Sequence, residues 1–290
     1  MATSRSIASS GVALLALAGS LLSACGDDDG TQVNGSTTRS LSGPAGRLHV
    51  DDGGQGTPVV VFLHSFGGST QQWAAQLAHV RQTRRAIAID LRGHGRSDAR
   101  ANGDYAVDSL ASDVAAVADE LDLQRFVLVG HSMGGAAASA YAGKHGDRLA
   151  GLVLVGTPGK SSPEMATQVL TAMEADYAKV SEDYWKRLLT DARPQVEAEV
   201  RKDMAPISRE ASLAMIGAIF AYDPLPKLAA YTAAGPILLI DTPHGDGPQA
   251  LHSQMPALPR RVITGTSHWP HMDKPAEFNA ILDEFLVSAR

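Results

Sequence analysis

The chain has 290 residues, enough for one large domain or two small ones, and with 44% hydrophobic and 19% charged residues it is neither disordered nor coiled coil. Its single cysteine, Cys25, excludes an internal disulfide and Cys-based zinc fingers. The formal net charge of -6, from 25 Lys and Arg against 31 Asp and Glu, speaks against non-specific nucleic-acid binding.

The first segment reads as an address. Arg5 is the only side-chain charge before Asp27, and Ile7 to Leu22 is apolar or small. That run is shorter than the roughly 20 apolar residues of a spanning helix and fits a secretory signal. It ends in Leu22-Ser23-Ala24-Cys25, which resembles the lipobox of bacterial lipoproteins. The resemblance implies cleavage before Cys25 and lipid attachment to it. The expectations are a lipoprotein signal peptide over 1–24 and an exported protein held to a membrane of the cell envelope through Cys25. The other reading is an ordinary signal with an incidental cysteine. Gly26 follows Cys25, so the aspartate associated with inner-membrane retention is absent, which points to the outer membrane where a cell has two. The polar, Gly/Ser/Thr-rich residues that follow predict a flexible tether over 25–45.

Short apolar runs then recur: Val59–Leu63, Ala86–Ile89, Phe126–Val129, Leu152–Val155, Ile237–Ile240 and Arg261–Ile263. Most are continuously apolar rather than alternating, as in parallel strands covered on both faces. Helical patterns separate them. Leu110, Val114, Val117 and Leu121 recur at helical spacing, with Asp108 as the expected cap. Pro275 opens a final helix whose Phe278, Ile281, Leu282, Phe285 and Leu286 share a face. Between Gly156 and Gly235 no strand signal appears, and the spacing of Met165, Val169, Met173, Tyr177 and Val180 predicts a helical insertion. The fold class expected is α/β: a mostly parallel central sheet with helices on both faces. The core falls at 46–157 and 235–290, with an inserted helical cap at 158–234.

Chemistry-bearing residues cluster where these strands end. Phe126–Val129 runs into Gly130-His131-Ser132-Met133-Gly134, followed by a small-residue helix. This is G-x-S-x-G in strand–turn–helix context, the nucleophile elbow that exposes a serine hydroxyl beside free helix N–H groups. A serine needs a base, and the base an orienting acid; in the fold class that carries this elbow they follow in the chain order Ser, acid, His. His268 lies in the loop after the last strand and is the expected base; His271 stands three residues on. His268, His271 and Asp273 also carry a fragment of metal-ligand spacing, without a convincing completing set. The acid is sought in Asp241-Thr242-Pro243-His244-Gly245-Asp246-Gly247-Pro248. Asp246, in a Gly-Asp-Gly-Pro turn, is favoured over Asp241, which abuts the strand. The oxyanion donors expected are the backbone N–H groups of Met133 and of Phe66, in His64-Ser65-Phe66-Gly67-Gly68. Gly159-Lys160-Ser161 is no phosphate loop, because Leu154 stands where its first glycine is needed.

These residues, with Asp90-Leu91-Arg92-Gly93-His94-Gly95-Arg96-Ser97-Asp98 after the second strand, resemble the α/β-hydrolase superfamily with a helical cap. The likeness runs from about Leu48 to Leu286. The Asp90–Asp98 loop reads as structural, with Arg92 and Asp98 able to pair. Ser65 departs from the family's usual glycine, and the loop after Ile240 departs from its usual Gly and Asp placement. The resemblance implies a serine hydrolase acting on carboxylic esters or lactones through an acyl-enzyme, with no cofactor and no metal. Relatives that open epoxides or remove halogens carry aspartate at the elbow, where this chain has Ser132. Met165, Met173, Tyr177, Tyr184, Trp185, Met204, Met215, Phe220 and Tyr222 are candidates for an acyl pocket, most of them also explicable as cap packing. The alternative function is a non-catalytic binding lipoprotein that keeps the fold. The expected partners are a small ester or lactone and a membrane, not nucleic acid.

Overall fold

The computed structural model describes residues 1, 32–33, 36–99 and 103–289. The expected signal peptide, apart from Met1, and Cys25 lie outside the described residues. Among those described, nine strands form one sheet: β1 (Gln32–Val33), β2 (Ser36–Gly43), β3 (Gly46–Gly53), β4 (Val59–Leu63), β5 (Ala86–Ile89), β6 (Phe126–His131), β7 (Leu149–Val155), β8 (Ile237–Asp241) and β9 (Arg260–Val262). Their spatial order is β1-β2-β3-β5-β4-β6-β7-β8-β9. Every pair from β5 to β9 is parallel, and β1, β2 and β3 add an antiparallel edge.

The helices are α1 (Ala74–Val80), α2 (Val107–Glu120), α3 (Met133–His145), α4 (Pro163–Ala175), α5 (Tyr177–Leu188), α6 (Pro194–Met204), α7 (Arg209–Ala221), α8 (Leu225–Tyr231), α9 (Leu251–Gln254), α10 (Pro270–Asp273) and α11 (Pro275–Ser288). Side chains alternate across each central strand. Val61 and Leu63 of β4 enter a core with α2 and α3, while Val60 and Phe62 enter a second core with α1 and α11. Both faces are therefore dry, which is why these strands read as unbroken apolar runs. Helices α4 to α8 occupy the long interval between β7 and β8.

Two local expectations are corrected. The tether does not extend to residue 45. Ser36–Gly43 is β2, joined to β3 through a Pro44-Ala45 turn, with Leu41 paired opposite Leu48. Asp108 is not the cap of α2. The cap position is Ala106, and Asp108 lies in the first turn, where a carboxylate favours the helix dipole and here also meets Lys144 Nζ at 2.8 Å.

Candidate active site

The end of β6 turns into α3 within one residue. That residue is Ser132, at φ 52° and ψ −112°, a left-handed conformation rare for a side chain with a Cβ. Its N–H is held by the Val155 carbonyl of β7 at 2.8 Å. The turn is possible because its flanks lack side chains. A Cβ on Gly134 would lie 2.5 Å from the His64 carbonyl oxygen and 2.6 Å from that of Leu63. Helix α3 therefore starts in contact with the end of β4, beside the Phe66 loop. Ser132 is half-buried, and its hydroxyl makes no hydrogen bond to another described residue, His268 included.

The Phe66 loop is braced by two neutral histidines. His64 Nδ1 donates to the Ser65 carbonyl at 2.7 Å and Nε2 accepts from Leu91 N–H at 2.9 Å. His94 Nε2 accepts from Gly67 N–H at 3.2 Å, and its Nδ1 donates to the Arg92 carbonyl at 3.0 Å. Burial lowers His64 to about 4, and burial together with the His64 charge lowers His94 to about 3, so both are neutral acceptors near pH 7. Ser65 also has a physical role. Its Oγ accepts from the Trp269 indole Nε1 at 3.3 Å, which ties this loop to the His268 loop. The N–H groups of Phe66 and Met133 donate to no described residue, leaving both free for a ligand oxygen.

His268 sits beside the elbow. His131, the residue before Ser132, donates from Nε2 to the His268 carbonyl at 2.8 Å, and the two rings are 4.8 Å apart. The His268 ring lies over Gly156, where a Cβ would be 3.0 Å from Cε1 and 3.2 Å from Nδ1. Burial, followed by the nearby Arg187 charge, pushes the imidazole down to about 4. It is therefore neutral at ordinary pH and able to accept a proton. His271 packs behind it, stacked on Trp73 with ring centroids 4.0 Å apart, and both of its nitrogens are buried without partners. Asp273 turns to Ser267 rather than to either histidine. No group of three or more His, Cys, Asp or Glu among the described residues is arranged to hold a metal ion.

The expected acid does not meet the base. Asp246 Oδ1 bonds Arg260 Nη2 at 2.7 Å and lies 3.2 Å from His252 Nε2. Asp241 Oδ2 bonds Arg260 Nε at 2.8 Å and lies 3.3 Å from His252 Nδ1. Two carboxylates and two basic groups close a cluster that satisfies itself. Burial raises the Asp241 carboxyl, and Arg260 opposes that rise. Among the described residues no carboxylate reaches the His268 imidazole. The expected Arg92–Asp98 pair is also replaced. Arg92 forks onto Asp113 at 2.6 and 2.7 Å, and Asp98 bonds Arg47.

The insertion covers the site with an aromatic stack. Trp185 of α5 is buried between Phe66 (5.6 Å between ring centroids, 25° between planes) and Trp269 (6.1 Å, 22°). Asp203 of α6 accepts from Ser69 Oγ at 2.9 Å and Gln72 Nε2 at 3.1 Å, and burial raises its carboxyl. Of the candidate pocket residues, Met173, Trp185 and Met215 are buried, Tyr222 meets Ser139 at 3.1 Å, and Met165 is exposed at the surface. Asp203 carries no motif signal of its own, because its partners Ser69 and Gln72 come from a distant segment. Asp273 shows in the sequence only within the metal-spacing fragment, and its partner Arg193 is 80 residues away.

Comparison with known proteins agrees with this fold. The profile of the alpha/beta hydrolase fold matches residues 58–213. Epoxide hydrolase 3 of Xenopus tropicalis is 28% identical, the match covering 83% of this chain and 74% of that protein. A thermophilic esterase from Thermogutta terrifontis superposes with a TM-score of 0.74 at 25% identity, covering 88% of this chain and 99% of the other. The enol-lactonase from Burkholderia xenovorans LB400 gives 0.72 at 25% identity, with 86% and 100% covered. The chain is a hydrolase of the α/β-hydrolase fold family.

Proposed function

We propose that the protein is a serine hydrolase that cleaves carboxylic esters or lactones through an acyl-enzyme on Ser132. His268 removes the Ser132 proton as Oγ attacks the carbonyl carbon. The N–H groups of Phe66 and Met133 hold the resulting oxyanion. Collapse breaks the acyl C–O bond, and His268 returns the proton to the leaving alkoxide. Water then attacks the acyl group by the same route and regenerates Ser132.

The observation that carries this reading is the strained Ser132 at the elbow with a neutral His268 beside it. Both the esterase and the enol-lactonase among the structural neighbours are named for such bonds. The family resemblance implies an aspartate at the elbow of relatives that open epoxides, and this chain has Ser132 there, so the activity named for Epoxide hydrolase 3 is not carried over. One observation favours the other reading, a binding protein on the same fold: among the described residues His268 has no carboxylate partner. A panel of short-chain aryl esters and small lactones separates the two. Hydrolysis that falls by about 10⁴-fold or more in Ser132→Ala supports the enzyme. No turnover above Ser132→Ala on any member of the panel supports the binding protein.

A further inference from the structure

The base is held by its backbone, and part of that hold comes from the insertion. His268 N–H donates to the Leu188 carbonyl, at the last residue of α5, at 2.9 Å. Five residues on, Arg193 N–H donates to Asp273 Oδ1 at 2.9 Å. The other oxygen of Asp273 accepts from Ser267 N–H at 2.9 Å and Ser267 Oγ at 2.6 Å. Ser267 Oγ in turn accepts from Trp269 N–H at 3.2 Å. One buried carboxylate thus bridges the insertion to the residues on both sides of the base. Arg193 Nη2 adds a bond to the Met272 carbonyl. Asp191, at φ 65°, holds His244 Nε2 at 2.8 Å and so pins the loop after β8 to the same turn.

We propose that the turn between α5 and α6, Leu188 to Arg193, positions the base, with Asp273 as the bridging positioning residue. Seating of the insertion on the core and competence of His268 are then one event. The physical need is specific to this chain. Among the described residues no carboxylate aligns the His268 imidazole, so the orientation of its ring rests on the path of residues 267–269. That path is fixed from below by the His131 bond and from above by this turn. Displacing a base by about 1 Å can cost on the order of 10²-fold in rate.

This inference rests on the proposed function, and its test keeps the two apart. Wild type, Asp273→Asn and Arg193→Pro are compared for the rate of Ser132 modification by a fluorophosphonate and for kcat and KM on an aryl ester. Asparagine keeps the shape of Asp273 but presents an NH2 to one set of donors. Proline suits the Arg193 φ of −65° and deletes only the main-chain donor and its side-chain bond. Thermal melts show which variants are folded. The expected result is a fall of about tenfold or more in both labelling rate and kcat, with KM within about twofold, and partial recovery in Asp273→Glu. Labelling and kcat within about twofold of wild type in a folded variant overturn the inference, as does a change confined to KM. Should Asp273→Asn fail to fold, Arg193→Pro decides alone, since it lies on the outer turn. A wild type that does not label at Ser132 overturns the proposed function instead.

Discussion

Ser132 and His268 carry the chemistry, and each is shaped by its immediate neighbours. Ser132 accepts a strained backbone because glycines flank it and Val155 holds its N–H. His268 is depressed to about 4 by burial, so a proton is lost from the ring well below neutrality. The sign follows directly. The base works when neutral, hence activity persists above that value and fades as pH falls through it. The rate of Ser132 labelling at pH 5.5 should stay within about twofold of that at pH 7.5. An unperturbed histidine would be only about one-tenth neutral at pH 5.5, so a tenfold fall would contradict this account. The carboxylates make a second prediction. Asp246→Asn and Asp241→Asn should each lower kcat by less than about tenfold, because their partners are Arg260 and His252. A loss of about 10⁴-fold in either would show that this loop reaches His268 in the working enzyme.

The elements show why some of this architecture is legible in the sequence. Strands β4 to β8 are buried on both faces, so their apolar runs announce them. The elbow is legible because a sharp strand-to-helix turn demands Gly130 and Gly134. Strand β2 is not, because Ser36-Thr37-Thr38-Arg39-Ser40 sits near the sheet edge and resembles linker composition. The placement of the Asp246 carboxylate is illegible for a related reason. A Gly-Asp-Gly-Pro turn says where the chain bends, but Arg260 and His252, from β9 and α9, decide where the carboxylate goes. Asp273 was visible only as a possible ligand, since its bridge to Arg193 spans 80 residues. Trp185 of α5 is a buried aromatic of the insertion, stacked with Phe66 and Trp269 over the site. Trp185→Ala should cost about 3–5 kcal/mol in chemical denaturation, as large aromatic deletions do. A loss below about 1 kcal/mol would mean that the stack with Phe66 and Trp269 does not hold the insertion down.

At the scale of the whole molecule, four buried histidines and the half-buried His268 gather around one end of the sheet. His64 and His268 are lowered to about 4, His94 and His271 to about 3, and His131 well below its ordinary value, all with burial as the leading cause. Unfolding returns each to about 6.5, so between these values the unfolded chain binds more protons than the folded one. Stability is therefore full above pH 6.5 and falls as pH drops towards 4, with a slope of up to about 1.4 kcal/mol per pH unit for each histidine. Asp203 and Asp241, raised by burial, act in the opposite sense nearer pH 4 and are fewer. Thermal melts should be flat from pH 7 to 8 and drop steeply between 6.5 and 4.5; a flat profile across that window would contradict the buried, neutral histidine cluster.

The most direct measurement is covalent labelling of the purified protein by a fluorophosphonate, with the modified peptide identified by mass spectrometry. The account predicts one adduct, on Ser132, formed rapidly at pH 7.5 and absent from Ser132→Ala. No adduct on folded protein, or an adduct elsewhere that survives Ser132→Ala, would contradict it.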